Sequence, residues 1–133
     1  MVGYDTSATT LSAVFYHLLR EPNYYHKVQV EVRDTYSALS DISASSVLRL
    51  PYLNACIQET LRLLPPINGR GSHRISPGAM IDGLYVPKGV NVSADIWTIQ
   101  RRPDYWALAD KFRPDVTTRW TWSPTRPRLD PGG

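Results

Sequence analysis

The chain has 133 residues, 42% of them hydrophobic and 20% charged, with a formal charge of +3 and one cysteine. This allows one modest core and excludes an internal disulfide or a multi-thiolate zinc site. Neither an apolar run of about eighteen residues nor a basic-then-apolar leader occurs, so no membrane span or signal peptide is expected. Residues 1–66 hold five Lys/Arg against six Asp/Glu, and residues 67–133 hold ten against six. The C-terminal arginines are scattered among Pro, Trp and Thr rather than set on one helical face, which argues against a nucleic-acid interface.

The opening "MVGYDTSATTLS" gathers Gly3, Asp5, Thr6 and Ser7 at the front of an apolar run. Such residues are indifferent helix formers, because their side chains compete for backbone hydrogen bonds. Leu11, Val14, Phe15, Leu18 and Leu19 recur at the spacing of one helical face, which predicts a helix over 2–20 that stops before Pro22. Pro22 opens a second helix with Tyr25, Val28 and Val32 inward, although "KVQVEVR" also alternates as a strand would. Ser40 or Asp41 is expected to cap a short helix through Leu48. Pro51 then starts a helix that Pro65 and Pro66 end, with Leu53, Ile57, Leu61 and Leu64 on one face.

From Gly69 the chain breaks into short apolar pieces separated by turns. Asp82-Gly83, between "AMI" and "LYV", is a two-residue hairpin signal, and Pro87-Lys88-Gly89 is a second turn. "ADIWTIQ" and "PDYWALA" are expected to be short helices, the second led by Pro103-Asp104. Residues 116–133, dense in Pro, Arg and Gly, are expected to be an irregular, disordered tail. The fold class is therefore mainly α with a small antiparallel β region.

The helix from Pro51 contains "ETLR", which makes Glu59 and Arg62 surface neighbours three residues apart. An isolated pair of this kind is usually an exposed one of little consequence. Its setting differs: a proline-started helix, then Leu-Leu-Pro-Pro, a β region with a D-G hairpin, and "DKFRPD". A guanidinium held bidentately by a carboxylate can fix a buried loop. The pair is expected to be buried, with spare donors reaching the segment near residues 110–120.

Together these features resemble the cytochrome P-450 family of haem-thiolate monooxygenases. "GYDTS" is similar to the family's central oxygen-binding helix, "ETLRLLPP" to its E-x-x-R helix, and "DKFRPD" to the start of its F-x-P motif. The intervening "HRISPGAMIDGLYVPKGVNVSADIWTIQRRPDYW" is similar to the sheet and helix between them. The resemblance implies a partial cytochrome P-450 domain over residues 1–115, with haem as cofactor, a reductase as electron donor and a small organic substrate. It implies that Thr6 holds a hydroxyl over iron-bound oxygen while Asp5 links it to water, a proton relay. It places Gly3 where oxygen needs room and Ser7 at a second hydroxyl position. It pairs Arg74 with a haem propionate, and sets Ile67 and Asn68 on the turn bordering the substrate pocket. Asp5 and Thr6 are expected to point away from the apolar face of their helix. Capping of a helix start is the plainer reading of Asp5 and Thr6, and an ordinary strand arginine that of Arg74.

The family's F-x-x-G-x-R-x-C-x-G loop is not found in the sequence, and Val116 stands where F-x-P-x-R-W has its arginine, with Arg119-Trp120 later. Cys56, on the E-x-x-R helix, reads as a small buried side chain. The expectation is a monooxygenase segment without an axial cysteine ligand or other metal ligand, not catalytic alone. The alternative is a non-catalytic remnant serving as a helical interaction module. An intact eukaryotic relative is expected at the endoplasmic reticulum membrane.

Overall fold

The computed structural model describes residues 3–67, 70–106 and 108–117. Four helices come first: α1 (Gly3–Arg20), α2 (Pro22–Thr35), α3 (Ala44–Val47) and α4 (Pro51–Leu63). Four short strands follow, β1 (Arg70–Ile75), β2 (Ala79–Ile81), β3 (Leu84–Val86) and β4 (Asn91–Asp95), then the single turns α5 (Ile96–Ile99) and α6 (Pro114–Thr117). The mainly α class with a small antiparallel β region is what the chain adopts. Pro22 and Pro51 each stand in a first helical turn, where a missing N–H costs nothing. The alternation in "KVQVEVR" is overridden, and the segment is helical.

The strands form two separate antiparallel pairs, β1 with β4 and β2 with β3. Asp82 (φ 47°) and Gly83 (φ 80°) close the β2–β3 hairpin with both central residues left-handed, as a type I′ turn requires. Ser76 seals the mouth of this hairpin, its hydroxyl donating to the Val86 carbonyl at 2.9 Å.

Several expectations change. Ser40 and Asp41 do not cap a helix reaching Leu48: a 3-10 turn spans Leu39–Asp41, and Ser43 caps α3 by accepting from the Ser46 N–H at 3.2 Å. Ser46 returns the bond to the Ser43 N–H, so the serine pair sets the start. The described residues of "PDYWALA", 103–106 and 108–109, form turns rather than a helix. Leu108 takes a left-handed φ of 57°, and the carbonyls of Ala109 and Lys111 accept from Arg62 instead of from a helical N–H. Val116 and Thr117 belong to α6 rather than to an irregular tail; residues 118–133 lie outside the described residues.

The core forms where α1 crosses α4. Val14 and Leu18 pack on Cys56, with Tyr24, Val28, Tyr52, Ile57 and Phe112 around them. The inward stripe of α1 is rotated from the one expected: Ala13, Val14 and Leu18 are buried, while Leu11 (60%), Phe15 (59%) and Leu19 (69%) stay exposed. On α4 the buried residues are Ala55, Cys56, Glu59, Thr60, Arg62 and Leu63. Leu53, Ile57 and Leu61 are only half-buried and Leu64 is exposed, so half of the buried stripe of α4 is polar.

Candidate functional site

The Glu59–Arg62 ion pair is the one among the described residues with both side chains buried. Two residues three apart on α4 face each other, and the planar guanidinium meets the carboxylate edge to edge. Arg62 Nε donates to Glu59 Oε2 and Nη2 to Oε1, each at 2.8 Å. Nη1 donates to the carbonyls of Gln100 (2.8 Å) and Ala109 (2.7 Å), and Nη2 also to that of Lys111 (3.1 Å). The Arg113 N–H closes the arrangement on Glu59 Oε1 at 2.9 Å. The side chains are 6% and 3% exposed. Of the carbonyls reached, only Lys111 falls in the expected stretch near 110–120; the other two precede it. The Trp106 ring lies 4.9 Å from the guanidinium carbon, completing the cover.

Groups not read from the sequence surround this pair. Arg101 lies over the Trp97 ring and donates to the Leu63 carbonyl, one of the last open acceptors of α4. His17 of α1 stacks on Phe112, rings 4.7 Å apart and 4° from parallel, and Tyr24 meets the edge of Phe112. Burial holds the His17 imidazole below its ordinary value, with the Glu59 carboxylate opposing and Arg20 reinforcing that shift. Glu31 of α2 accepts from the N–H groups of Tyr52 and Leu53. Only Phe112 had a local signal, in "DKFRPD"; the others depend on partners distant in sequence.

On α1, Gly3 begins the helix and Asp5 is exposed in its first turn. Thr6 is half-buried, and its carbonyl accepts the Thr10 hydroxyl at 2.8 Å. Thr6 and Thr10 lie on the side of α1 that continues into Ala13, Val14 and His17, so of the two residues only Asp5 points openly outward. Thr6 is the fourth residue of α1. Ser7 is exposed.

Arg74 is exposed on β1, opposite Val92 of β4. Ile67 follows Pro65-Pro66 and is exposed, while Asn68 lies outside the described residues. The structure thus joins Glu59 to Arg62 directly and keeps Asp5 and Thr6 on one helical turn. Arg74 sits on a separate sheet. Cys56 is fully buried, its thiol pushed up to about 12, chiefly by burial and then by the carboxylates of Glu31 and Asp115. Among the described residues there is no cluster of three metal-ligating side chains, and no helix is long and apolar enough to cross a membrane.

Comparison with known proteins gives a match to the cytochrome P-450 family model over residues 1–121. The chain is 53% identical over 121 residues to the cytochrome P-450 monooxygenase dpfgJ of Gibberella zeae, covering 90% of this chain and 24% of that protein. It is 54% identical over 120 residues to the cytochrome P-450 monooxygenase btcB of Colletotrichum orbiculare, covering 90% and 22%. Against the cytochrome P-450 monooxygenase aunB of an Aspergillus niger strain it is 43% identical over 86% of this chain and 70% of that relative. The chain spans under a quarter of the length of the first two.

Proposed function

The chain belongs to the cytochrome P-450 family, and from that membership we propose that it supplies a haem-dependent monooxygenase with its oxygen-side helix and its locking junction. The intact protein, on this reading, inserts one oxygen atom of O2 into a small organic substrate, using electrons from a reductase. The observation that carries the reading is the Glu59–Arg62 pair, which gathers three carbonyls and one N–H from residues 100–113 onto α4. A buried pair so fully hydrogen-bonded fixes backbone that has little regular structure of its own. The exposed Leu11, Phe15 and Leu19 add support, since an apolar arc wider than its neighbours cover is suited to packing on a further element.

The proposed roles follow from position. Asp5, exposed, links the site to water; Thr6, adjacent and half-buried, holds a hydroxyl where a proton can be passed on. Gly3 keeps the start of α1 narrow. Arg74 offers an exposed guanidinium suited to a carboxylate such as a propionate, and Ile67 an apolar contact for substrate.

Haem, ligated by a thiolate, supplies oxygen activation in this family. Cys56 is unsuited to be that ligand, because its thiol is buried inside α4 and held protonated at neutral pH, whereas the metal ligand is the thiolate. With Cys56 the one cysteine of the chain, the described residues offer haem no suitable thiolate ligand. We infer that the 133-residue chain alone is not catalytic.

Two measurements test the reading. The chain mixed with haem, reduced and exposed to carbon monoxide should lack the red-shifted Soret band of thiolate ligation; such a band, abolished by Cys56→Ala, overturns the inference of inactivity. Exchanging residues 1–121 into the matching stretch of the Gibberella zeae relative should preserve thiolate-ligated haem, with Thr6→Val then uncoupling oxygen consumption from product. A chimera that folds but oxidises substrate equally well with Thr6→Val contradicts the role given to Thr6.

A further inference from the structure

We propose that Lys27 and Glu31, one turn apart on α2, are positioning residues that set the Glu59–Arg62 junction from both of its ends. The first end is the start of α4. Leu50, the residue before the helix, has no side chain able to cap it, and Pro51 has no N–H. The open donors are Tyr52 and Leu53, and each gives its N–H to a different oxygen of Glu31, both at 2.8 Å. A carboxylate there also meets the positive end of the helix dipole. The cap comes from 21 and 22 residues away in sequence, so it locks α4 to α2 and not merely to its own preceding loop.

The second end is the segment that closes on Glu59. Lys27 Nζ lies 2.8 Å from Asp115 Oδ1, two residues beyond Arg113, whose N–H donates to Glu59 Oε1. Pro114 between them is fully buried. The Lys27 ammonium also lies over the Tyr52 ring, 5.3 Å from its centroid, so both α2 residues bear on Tyr52. The contacts make a ring: α2 through Glu31 to the first turn of α4, along α4 to Glu59, across to Arg113 and Asp115, and back through Lys27.

Geometry makes the first turn decisive. A helix rises about 1.5 Å and turns about 100° per residue, so a one-residue slip at Tyr52 moves Glu59 by more than a hydrogen bond tolerates. The two arms differ in strength. Lys27 and Asp115 are half-exposed, a setting in which ion pairs are weak; the Glu31 arm consists of two charge-assisted bonds to backbone.

The inference rests on the junction described above and on no catalytic step, so a chain that never oxidises a substrate still tests it. Amide exchange on the full 133-residue chain reads both ends separately. Glu31→Ala should speed exchange at Tyr52 and Leu53, and by about tenfold also at Arg113, while displacing the Arg62 Nε–H resonance. Glu31→Gln, which keeps one acceptor, should recover part of each effect and serves if the alanine variant does not fold. Lys27→Met should affect Arg113 and leave Leu53 unchanged. The double variant should affect Arg113 by less than the sum of the two in free energy, because either opening breaks the ring. Loss of protection at Tyr52 and Leu53 with Arg113 and Arg62 unmoved overturns the proposal and leaves Glu31 a helix cap. A uniform rise at every amide, matched by a fall in global stability, overturns it as well. Arg33→Ala, exposed on the same helix, is the control that should change neither end.

Discussion

Glu59→Ala is the substitution whose cost the structure defines most closely. It strips Arg62 of both carboxylate bonds and leaves a guanidinium whose side chain is 6% exposed with, among the described residues, the carbonyls of Gln100, Ala109 and Lys111 and the Trp106 ring. Breaking a buried pair from one side costs about 3–5 kcal/mol, because the remaining charge has neither water nor counterion. The orphaned Arg113 N–H belongs to the same event and argues for the upper part of that range. For a domain with a total stability of roughly 5–15 kcal/mol this is a large share. With a urea dependence of about 2 kcal/mol per molar, the unfolding midpoint should fall by about 2 M. Glu59→Gln, which keeps shape and one acceptor oxygen, should lose less. Arg62→Lys should lose nearly as much as the alanine variant, since one ammonium cannot replace a fork that serves five acceptor contacts. The measurement is urea unfolding followed by far-ultraviolet circular dichroism. A midpoint shift equivalent to less than about 0.5 kcal/mol, the size of an ordinary surface substitution, would refute the burial argument and with it the junction as an ordering element.

Three further outcomes are expected. Cys56, its thiol pushed up to about 12 and fully buried, should resist alkylation in the folded chain at pH 8 and react completely in denaturant; rapid labelling of the native chain contradicts its place in the core. His17, held below its ordinary value of 6.5 by burial, favours the folded state while neutral. Its contribution is therefore fully present above pH 6.5 and is lost as the pH falls through the lowered value, and urea titrations should show this slope vanish in His17→Gln. Gly83→Ala meets no atom within 4 Å of the added carbon, so its cost is that of a left-handed backbone alone, roughly 1–2 kcal/mol. Thermal melts should show that loss, and little change for Asp82→Asn, a residue tolerant of the same region.

What could be read in the sequence is what is decided locally. Pro22 and Pro51 suit a first helical turn because each lacks an N–H that would have no partner there, and Asp82-Gly83 closes a hairpin because the two residues themselves tolerate positive φ. The short α5 likewise carries its own cap, with Asp95 accepting the Thr98 N–H at 2.9 Å. The pattern "ETLR" also pointed to the residues of the junction, because a three-residue spacing on a helix forces them together.

The parts that escaped are those in which one segment decides the state of another. The helix expected over "PDYWALA" has suitable local residues, yet two carbonyls nearby are taken by a guanidinium 47 and 49 residues earlier. A carbonyl turned toward Arg62 is not aligned along a helix axis, and Leu108 absorbs the change with its positive φ. The apolar face of α1 failed for a related reason. Periodicity finds an apolar arc, and on α1 the arc is broad, with Val14 and Leu18 at one edge and Leu11, Phe15 and Leu19 toward the other. Choosing between them depends on α4, whose buried stripe is half polar and therefore looks exposed to any rule based on hydrophobicity. Glu59 and Arg62 are inside because distant backbone atoms complete their bonding, and Val14 and Leu18 are inside because α4 brings its core residue Cys56 to that side of α1. The irregularity of the described residues between Gln100 and Arg113 thus follows from one buried pair, whereas the orientation of the first helix follows from Cys56, and a substitution that expels Arg62 should release the former.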